Sequence, residues 1–74
     1  MNKVSEVAKA SAVRVFCCNV DDYDIAVEIY DALGQSHEPV DEVLSKFGAV
    51  RWGMFDDWDE ATWWEQLEMV AHDI

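Results

Sequence analysis

Apolar residues recur at helical spacing in three segments of this 74-residue chain, and no other sequence feature constrains its fold as strongly. The clearest segment runs from Val20 to Gly34. We expect Asp21 to cap this helix, Ile25 to occupy the hydrophobic staple position and Gly34 to act as the C-terminal stop. The segment predicts an amphipathic helix whose apolar face contains Ile25, Ala26, Ile29 and Leu33.

Two further helices are predicted along the chain. The second covers residues 38–47, and Gly48 is expected to end it. The third begins near Asp59, with Trp58 and Trp63 at the staple positions on either side of that cap. The apolar stripe of the second helix contains Val40, Val43, Leu44 and Phe47. The stripe of the third helix contains Trp63, Leu67, Val70 and Ile74, and Trp64 lies at its edge.

Two other segments, residues 12–17 and 50–55, are compatible with either helix or strand. Their β-branched or alternating residues could pair as two strands, which would give an α+β fold with a two-stranded sheet. The Ala-rich stretch from Glu6 to Ala12 favours a helix instead, and two strands alone make a weak sheet. The stripe of that helix would contain Val4, Val7, Ala8, Ser11 and Val15. We therefore predict a single all-α domain over residues 1–74, a small bundle of three to four short helices, with the α+β fold as the alternative.

Acidic residues outnumber basic residues by sixteen to five, so the formal net charge is −11. The charges are segregated, because residues 15–45 and residues 52–74 contain no lysine or arginine. This much negative charge repels phosphate backbones and anionic lipids, so we expect no direct binding to nucleic acid or to membranes. The sequence also lacks the run of about 18 apolar residues that a membrane span needs.

Cysteine and acid spacing predicts neither a disulfide nor a metal site. Cys17 and Cys18 are adjacent, and a bridge between neighbouring residues would be strained. We expect both thiols to be reduced and at least one to be buried, as in a cytosolic protein. A calcium loop that would start at Asp57 fails at Ala61 and Thr62. We therefore expect no metal, no cofactor and no catalytic residue, and we do not expect an enzyme.

Four carboxylates are spaced by 3, 4 and 3 residues along the first predicted helix, which places them on one face. Like charges at this spacing cost roughly 0.2–0.5 kcal/mol per pair, so a sequence selected for stability alone would have a lysine among them. The face is either a solvated surface that keeps the protein soluble or a surface that matches a basic partner. Its members are Asp21, Asp24, Glu28 and Asp31.

A second acidic group lies in the tryptophan-rich segment and contains Asp56, Asp57, Asp59 and Glu60. The simplest interpretation is an acidic helix N-terminus, which the helix dipole favours, with Trp52 and Trp58 in the core. Four tryptophans are nevertheless more than so small a core can hide. We expect one or two of Trp52, Trp58 and Trp64 to face solvent or a partner.

The small size, the two stretches without a base and the acidic, tryptophan-rich segment from Trp52 to Trp64 resemble small acidic bacteriophage proteins that act against host defence. These are the anti-CRISPR proteins and the DNA-mimic antirestriction proteins. The resemblance implies an inhibitor in the cytoplasm of a bacterial host cell. Such a protein occupies the basic nucleic-acid-binding site of a defence complex and excludes the nucleic acid by competition.

For this role we expect both acidic groups to contact the partner, with Trp58 and Trp64 as apolar anchors. The competing hypothesis is a small helical adaptor or regulatory subunit, or a homodimer, that docks through an apolar edge containing tryptophan. In that case the acids only increase solubility. The two hypotheses differ in salt dependence, because added salt weakens binding between exposed charges far more than apolar contact.

Overall fold

The computed structural model of the protein describes residues 4–74 and contains four α-helices around one core. The helices are α1 (Glu6–Phe16), α2 (Tyr23–Gln35), α3 (Val40–Lys46) and α4 (Glu60–Asp73), with a 3₁₀ turn at Gly53–Phe55. Helix α1 packs against α2 and α4, and α3 packs against the same two helices. The predicted all-α bundle is therefore confirmed. Within the described range, no helix is both long and apolar enough to span a membrane.

The two ambiguous segments meet in the structure, but as a single antiparallel β-bridge between Cys17 and Arg51. A backbone hydrogen bond of 3.1 Å lies on each side of this pair. Helix α1 continues to Phe16 and the 3₁₀ turn starts at Gly53, so the pairing extends no further in either direction. The α+β alternative is therefore wrong for residues 4–74, although these segments do lie side by side.

Helix α2 begins one residue later than its sequence pattern predicts. Asp22 is the N-cap, because its Oδ1 atom accepts a hydrogen bond from the backbone N–H of Ile25 at 3.1 Å. Asp21 therefore lies outside the helix, and the prediction that it caps α2 is wrong. Ile25 is 39% exposed and does not act as a buried staple.

The ends of α2 and α3 differ in how glycine is used. Gly34 lies inside the last turn of α2, because the N–H of Ser36 still bonds to the carbonyl of Ala32 at 2.9 Å. The predicted stop at Gly34 is therefore wrong. Gly48 does end α3 as predicted, and its φ of 71° lies in the left-handed region that glycine adopts most easily.

Buried side chains from all four helices form one core, and it includes Trp63, which has no exposed surface. The Phe16 ring meets Trp63 edge to face, with centroids 6.1 Å apart and an interplanar angle of 83°. Leu67 is also fully buried, as its stripe predicts, whereas Ile74 at the end of α4 is 62% exposed. The largest fully buried side chains are Trp63, Ile29, Leu44, Leu67, Val13 and Cys17.

Helix α1 turns a different face to the core from the one that its valines predict. Its buried residues are Ala8, Ala10, Ala12, Val13 and Phe16. Val7 and Val15 are 60% and 53% exposed. Small alanine side chains allow α2 and α4 to approach the α1 backbone closely, and Val7 and Val15 then remain on the outer face while Val13 faces the core.

Arg51 fixes the connection between α3 and α4. Its guanidinium donates hydrogen bonds of 2.9 and 3.0 Å to the two carboxylate oxygens of Asp41 and one of 3.4 Å to the carbonyl of Trp58. The guanidinium carbon also lies 6.0 Å from the centroid of the Trp63 ring. Because the Arg51 side chain is only 15% exposed, these contacts are partly shielded from water.

Replacing Arg51 with methionine keeps most of the aliphatic side chain and removes its hydrogen bonds. We expect Arg51→Met to lower the free energy of unfolding by about 1–3 kcal/mol, as measured by urea denaturation. Lys46→Met is the matched control, because the Lys46 side chain is 60% exposed in its ion pair with Glu38 and such pairs contribute little. An equal loss in both variants would contradict a special role for Arg51.

Candidate protein-binding surfaces

The four carboxylates of the first predicted acidic face have different surroundings in the structure. Asp24 and Glu28 are exposed one turn apart on α2. Asp21 precedes the helix and lines a different groove. Asp31 accepts a hydrogen bond of 2.7 Å from the ammonium group of Lys9 on α1. A lysine is therefore present among these acids after all, supplied by a neighbouring helix.

Glu6 joins Asp24 and Glu28 at a groove between α1 and α2, which we call the acidic groove. Its volume is about 370 Å³, and Tyr23 and Val27 also line it. None of the three carboxylates forms an ion pair within residues 4–74. An aromatic ring beside carboxylates can hold a long cationic side chain, because the ring attracts the cation and also packs against its aliphatic part.

Most of the described cations already bind a carboxylate of the same chain. The three ion pairs are Lys9–Asp31 at 2.7 Å, Arg51–Asp41 at 2.9 Å and Lys46–Glu38. The hydrogen bond to Asp31 is the main reason why the pKa of Lys9 is raised. Among the residues that the structure describes, no cation forms an ion pair with the carboxylates of the acidic groove.

Two members of the second acidic group have structural roles. Asp59 caps α4, because its Oδ1 atom accepts a hydrogen bond of 2.7 Å from the N–H of Thr62. Glu60 reaches back to α3, where its two carboxylate oxygens accept hydrogen bonds of 3.0 and 3.1 Å from the N–H groups of Val40 and Asp41. Both carboxylates are therefore occupied in holding helix ends.

Asp56 and Asp57 are the other two members of the second acidic group, and both are exposed. Neither side chain makes a hydrogen bond to another of the described residues. Asp56 lines a shallow groove together with Asp41 and Arg51. Of the second acidic group, only these two acids are available to a partner without first breaking a hydrogen bond of the fold.

The tryptophans divide by exposure. Trp58 is half-buried against Phe55, with ring centroids 4.8 Å apart, and Trp64 is half-buried with its ring 5.2 Å from that of Tyr30. Trp52, which was not among the predicted apolar anchors for a partner, is 42% exposed. The expectation that one or two of these three indoles would face outward is thus confirmed. The two predicted anchors each pack on the core with part of their surface.

A second groove lies where Trp52 meets the end of α1, and we call it the Trp52 groove. Its volume is about 400 Å³, and its lining includes Arg14, Val15, Cys18 and Asp21. Neither Arg14 nor Asp21 forms an ion pair among the described residues. This groove therefore combines apolar side chains with one charge of each sign.

The two free cysteines differ in burial, and Cys18 is exposed. Cys17 is buried, as expected for at least one of the two cysteines, and burial raises the pKa of its thiol to about 12. Such a thiol is almost entirely protonated at neutral pH and a poor nucleophile. Within residues 4–74, no three metal-binding side chains come together. His37 and His72 are both exposed.

No family model, curated protein or solved structure matches this chain. Two features were beyond a linear reading of the sequence. Glu6 lies 18 residues before Asp24 and joins it only because α1 and α2 pack together. Arg51 pairs with Cys17 at the end of α1, and its side chain points inward. Because side chains alternate along an extended backbone, the next residue, Trp52, points outward.

Removing one acid from α2 is expected to change stability in opposite directions at two positions. Glu28→Gln removes repulsion with Asp24 and should raise the free energy of unfolding by roughly 0.2–0.5 kcal/mol. Asp31→Asn should lower the melting temperature, because Lys9 loses its carboxylate partner. Thermal melts of both variants beside the wild type measure the two shifts. Shifts of the same sign would contradict the division into unpaired and paired carboxylates.

Asp59 is expected to make stability depend on pH. The backbone N–H of Thr62 is the main cause of its lowered pKa, so the ionised carboxylate stabilises the folded state. This contribution is present above the ordinary pKa of an aspartate and is lost as the pH falls through the folded pKa. Asp59→Asn keeps a capping oxygen but cannot titrate. We expect the difference in melting temperature between wild type and variant to be largest near pH ~6 and to shrink below pH ~4; a constant difference would contradict the assignment.

Proposed function

We propose that this protein is a non-enzymatic inhibitor that binds the basic nucleic-acid-binding site of a bacterial defence complex. It would act in the cytoplasm of the host cell, as proteins of the anti-CRISPR or antirestriction class do. The acidic groove would receive lysine or arginine side chains that otherwise contact phosphates. Nucleic acid would then be excluded by competition, because the same cations cannot bind both anions.

The acidic groove is the single observation that carries this proposal. Asp24 and Glu28 lie one helical turn apart, which places their Cβ atoms about 5–6 Å from each other, and Glu6 approaches from α1. The exposed ring of Tyr23 lies among them. An acidic coat that served only solubility would not need an aromatic ring between its carboxylates.

The charge of the whole molecule supports the same function. A net charge of −11 attracts a basic surface over a distance of about a Debye length and speeds the encounter. Asp56 and Asp57 add exposed charge beyond the groove. The half-buried rings of Trp58 and Trp64 could contribute apolar contact at the edges, where they reach the surface.

A second candidate function is an adaptor that docks onto another protein through its apolar edge. The observation that favours it is the exposure of Trp52 beside Val15, at 42% and 53%. Binding through this edge would depend on apolar contact, and the acids would only keep the protein soluble. The two functions therefore predict different responses to salt and to charge removal.

The decisive experiment captures the tagged protein with its partner from a bacterial lysate and then measures binding of the purified partner. We expect added DNA or RNA to displace the protein, and affinity to fall steeply between about 50 and 500 mM salt. The variant Glu6→Gln/Asp24→Asn/Glu28→Gln should abolish binding. Its matched control is Glu42→Gln/Glu65→Gln/Asp73→Asn, which removes the same three charges from exposed positions on α3 and α4.

The control distinguishes the acidic groove from bulk charge. Retained binding in the control and lost binding in the groove variant would support the proposal, provided that circular dichroism shows both variants folded. Equal weakening of both would mean that net charge alone attracts the partner. An affinity that changes neither with salt nor in the groove variant, but is lost in Trp52→Ala, would favour the adaptor.

A further inference from the structure

The Trp52 groove brings two exposed apolar side chains, Val15 and Trp52, together with polar groups and one charge of each sign. Val15 lies there because the buried face of α1 consists of its alanines, Val13 and Phe16, which leaves Val15 outside. Trp52 lies there because it follows the bridge residue Arg51, whose side chain turns toward Asp41 and Trp63. Exposed apolar groups that lie together mark an interaction surface.

The two charges at this groove are not used by the fold. Arg14 lies in the last turn of α1 and is the one cation in residues 4–74 without an ion pair. Asp21 is the acid that precedes α2 instead of joining its face. Both side chains line the same groove, yet they do not pair with each other.

We infer that the Trp52 groove is the interface of a weak symmetric homodimer. A twofold axis brings each surface against its own copy, so Arg14 of one protomer can meet Asp21 of the partner subunit, and the reciprocal pair forms on the other side of the axis. Trp52 and Val15 then lie between the two ion pairs. A buried aromatic anchor surrounded by polar contacts is the arrangement in which interfaces concentrate their binding energy.

Charge complementarity selects a second copy as the occupant. The groove presents one positive and one negative group beside its apolar side chains, and only a partner with the reverse arrangement satisfies both. A twofold-related copy supplies that arrangement automatically. Elsewhere the exterior is strongly acidic, and two chains of charge −11 repel each other there. The contact is therefore confined to this small area, and a small interface gives weak, concentration-dependent association.

Self-association does not rest on the proposed inhibitor function, because the acidic groove and the Trp52 groove use different residues, and only the adaptor candidate shares Trp52 and Val15. Binding of a basic partner is tested at Glu6, Asp24 and Glu28, whereas self-association is tested at Arg14, Asp21 and Trp52. Loss of one activity with retention of the other would identify which of the two ideas has failed.

Sedimentation velocity of the purified full chain over a range of concentrations tests the dimer. We expect the wild-type mass to rise from that of one chain towards that of two. Trp52→Ala and Arg14→Asp should each weaken self-association at least about tenfold, the second because two aspartates then face each other. Met69→Ala is the matched control, since Met69 is a large apolar residue on α4 that is more exposed than Trp52, at 56% against 42%, and its removal should change nothing.

A charge swap makes the test specific. Arg14→Asp combined with Asp21→Arg restores opposite charges across the twofold axis, so the double variant should dimerise again where Arg14→Asp alone does not. Rescue would support the interface even if the single variant also perturbs α1. A wild type that stays monomeric at all concentrations, or a dimer that survives Trp52→Ala, would overturn the inference. Failure of the swap to rescue a variant that remains folded by circular dichroism would overturn it as well.

Discussion

The packing of α1 through its alanines is the constraint on which the rest of the structure depends. Ala8 and Ala12 are buried and have small side chains, so α2 and α4 can approach the α1 backbone closely. Phe16 of α1 then packs edge to face against Trp63 of α4. The same choice of face leaves Val7 and Val15 outside. It also brings Glu6 to the side of α2 and the end of α1 to Trp52. The choice of buried face on α1 therefore affects both the packing of the core and the composition of the surface.

Electrostatics within the fold then determine which acids remain available. Ion pairs with Lys9, Lys46 and Arg51 each neutralise one carboxylate on another segment or helix. Asp59 and Glu60 satisfy backbone N–H groups at the starts of α4 and α3, which the helix dipole makes favourable sites for negative charge. Six of the sixteen acids are therefore held in ion pairs or at helix starts. The others lie where α1 meets α2, around Asp56 and Asp57, and at Asp21, Glu42, Glu65, Glu68 and Asp73.

Two grooves with different chemistry result from this arrangement, and both are bordered by α1. The acidic groove joins carboxylates to the ring of Tyr23 and suits a cationic side chain. The Trp52 groove joins apolar groups to one charge of each sign and suits a second copy of the chain. A weak dimer would present two acidic grooves at once, which raises the effective affinity for a partner with a long basic surface. The two proposals are thus independent in their residues but compatible in one molecule.

The cap at Asp59, the stop at Gly48 and the burial of Trp63 and Leu67 could be predicted from the sequence, because they follow from local hydrogen bonding and from the periodicity of one helix. The sequence favoured an all-α bundle but left a two-stranded sheet open, and contacts between segments reduce that sheet to one bridge. Tertiary packing also sets which face of α1 is buried, pairs Lys9 with Asp31 and brings Glu6 to Asp24. These outcomes depend on contacts between segments distant in the chain, where packing of small residues outweighs the apparent apolar stripe. Hydrophobic periodicity predicts the apolar face of one helix, whereas a binding surface is formed by side chains from several helices that pack together.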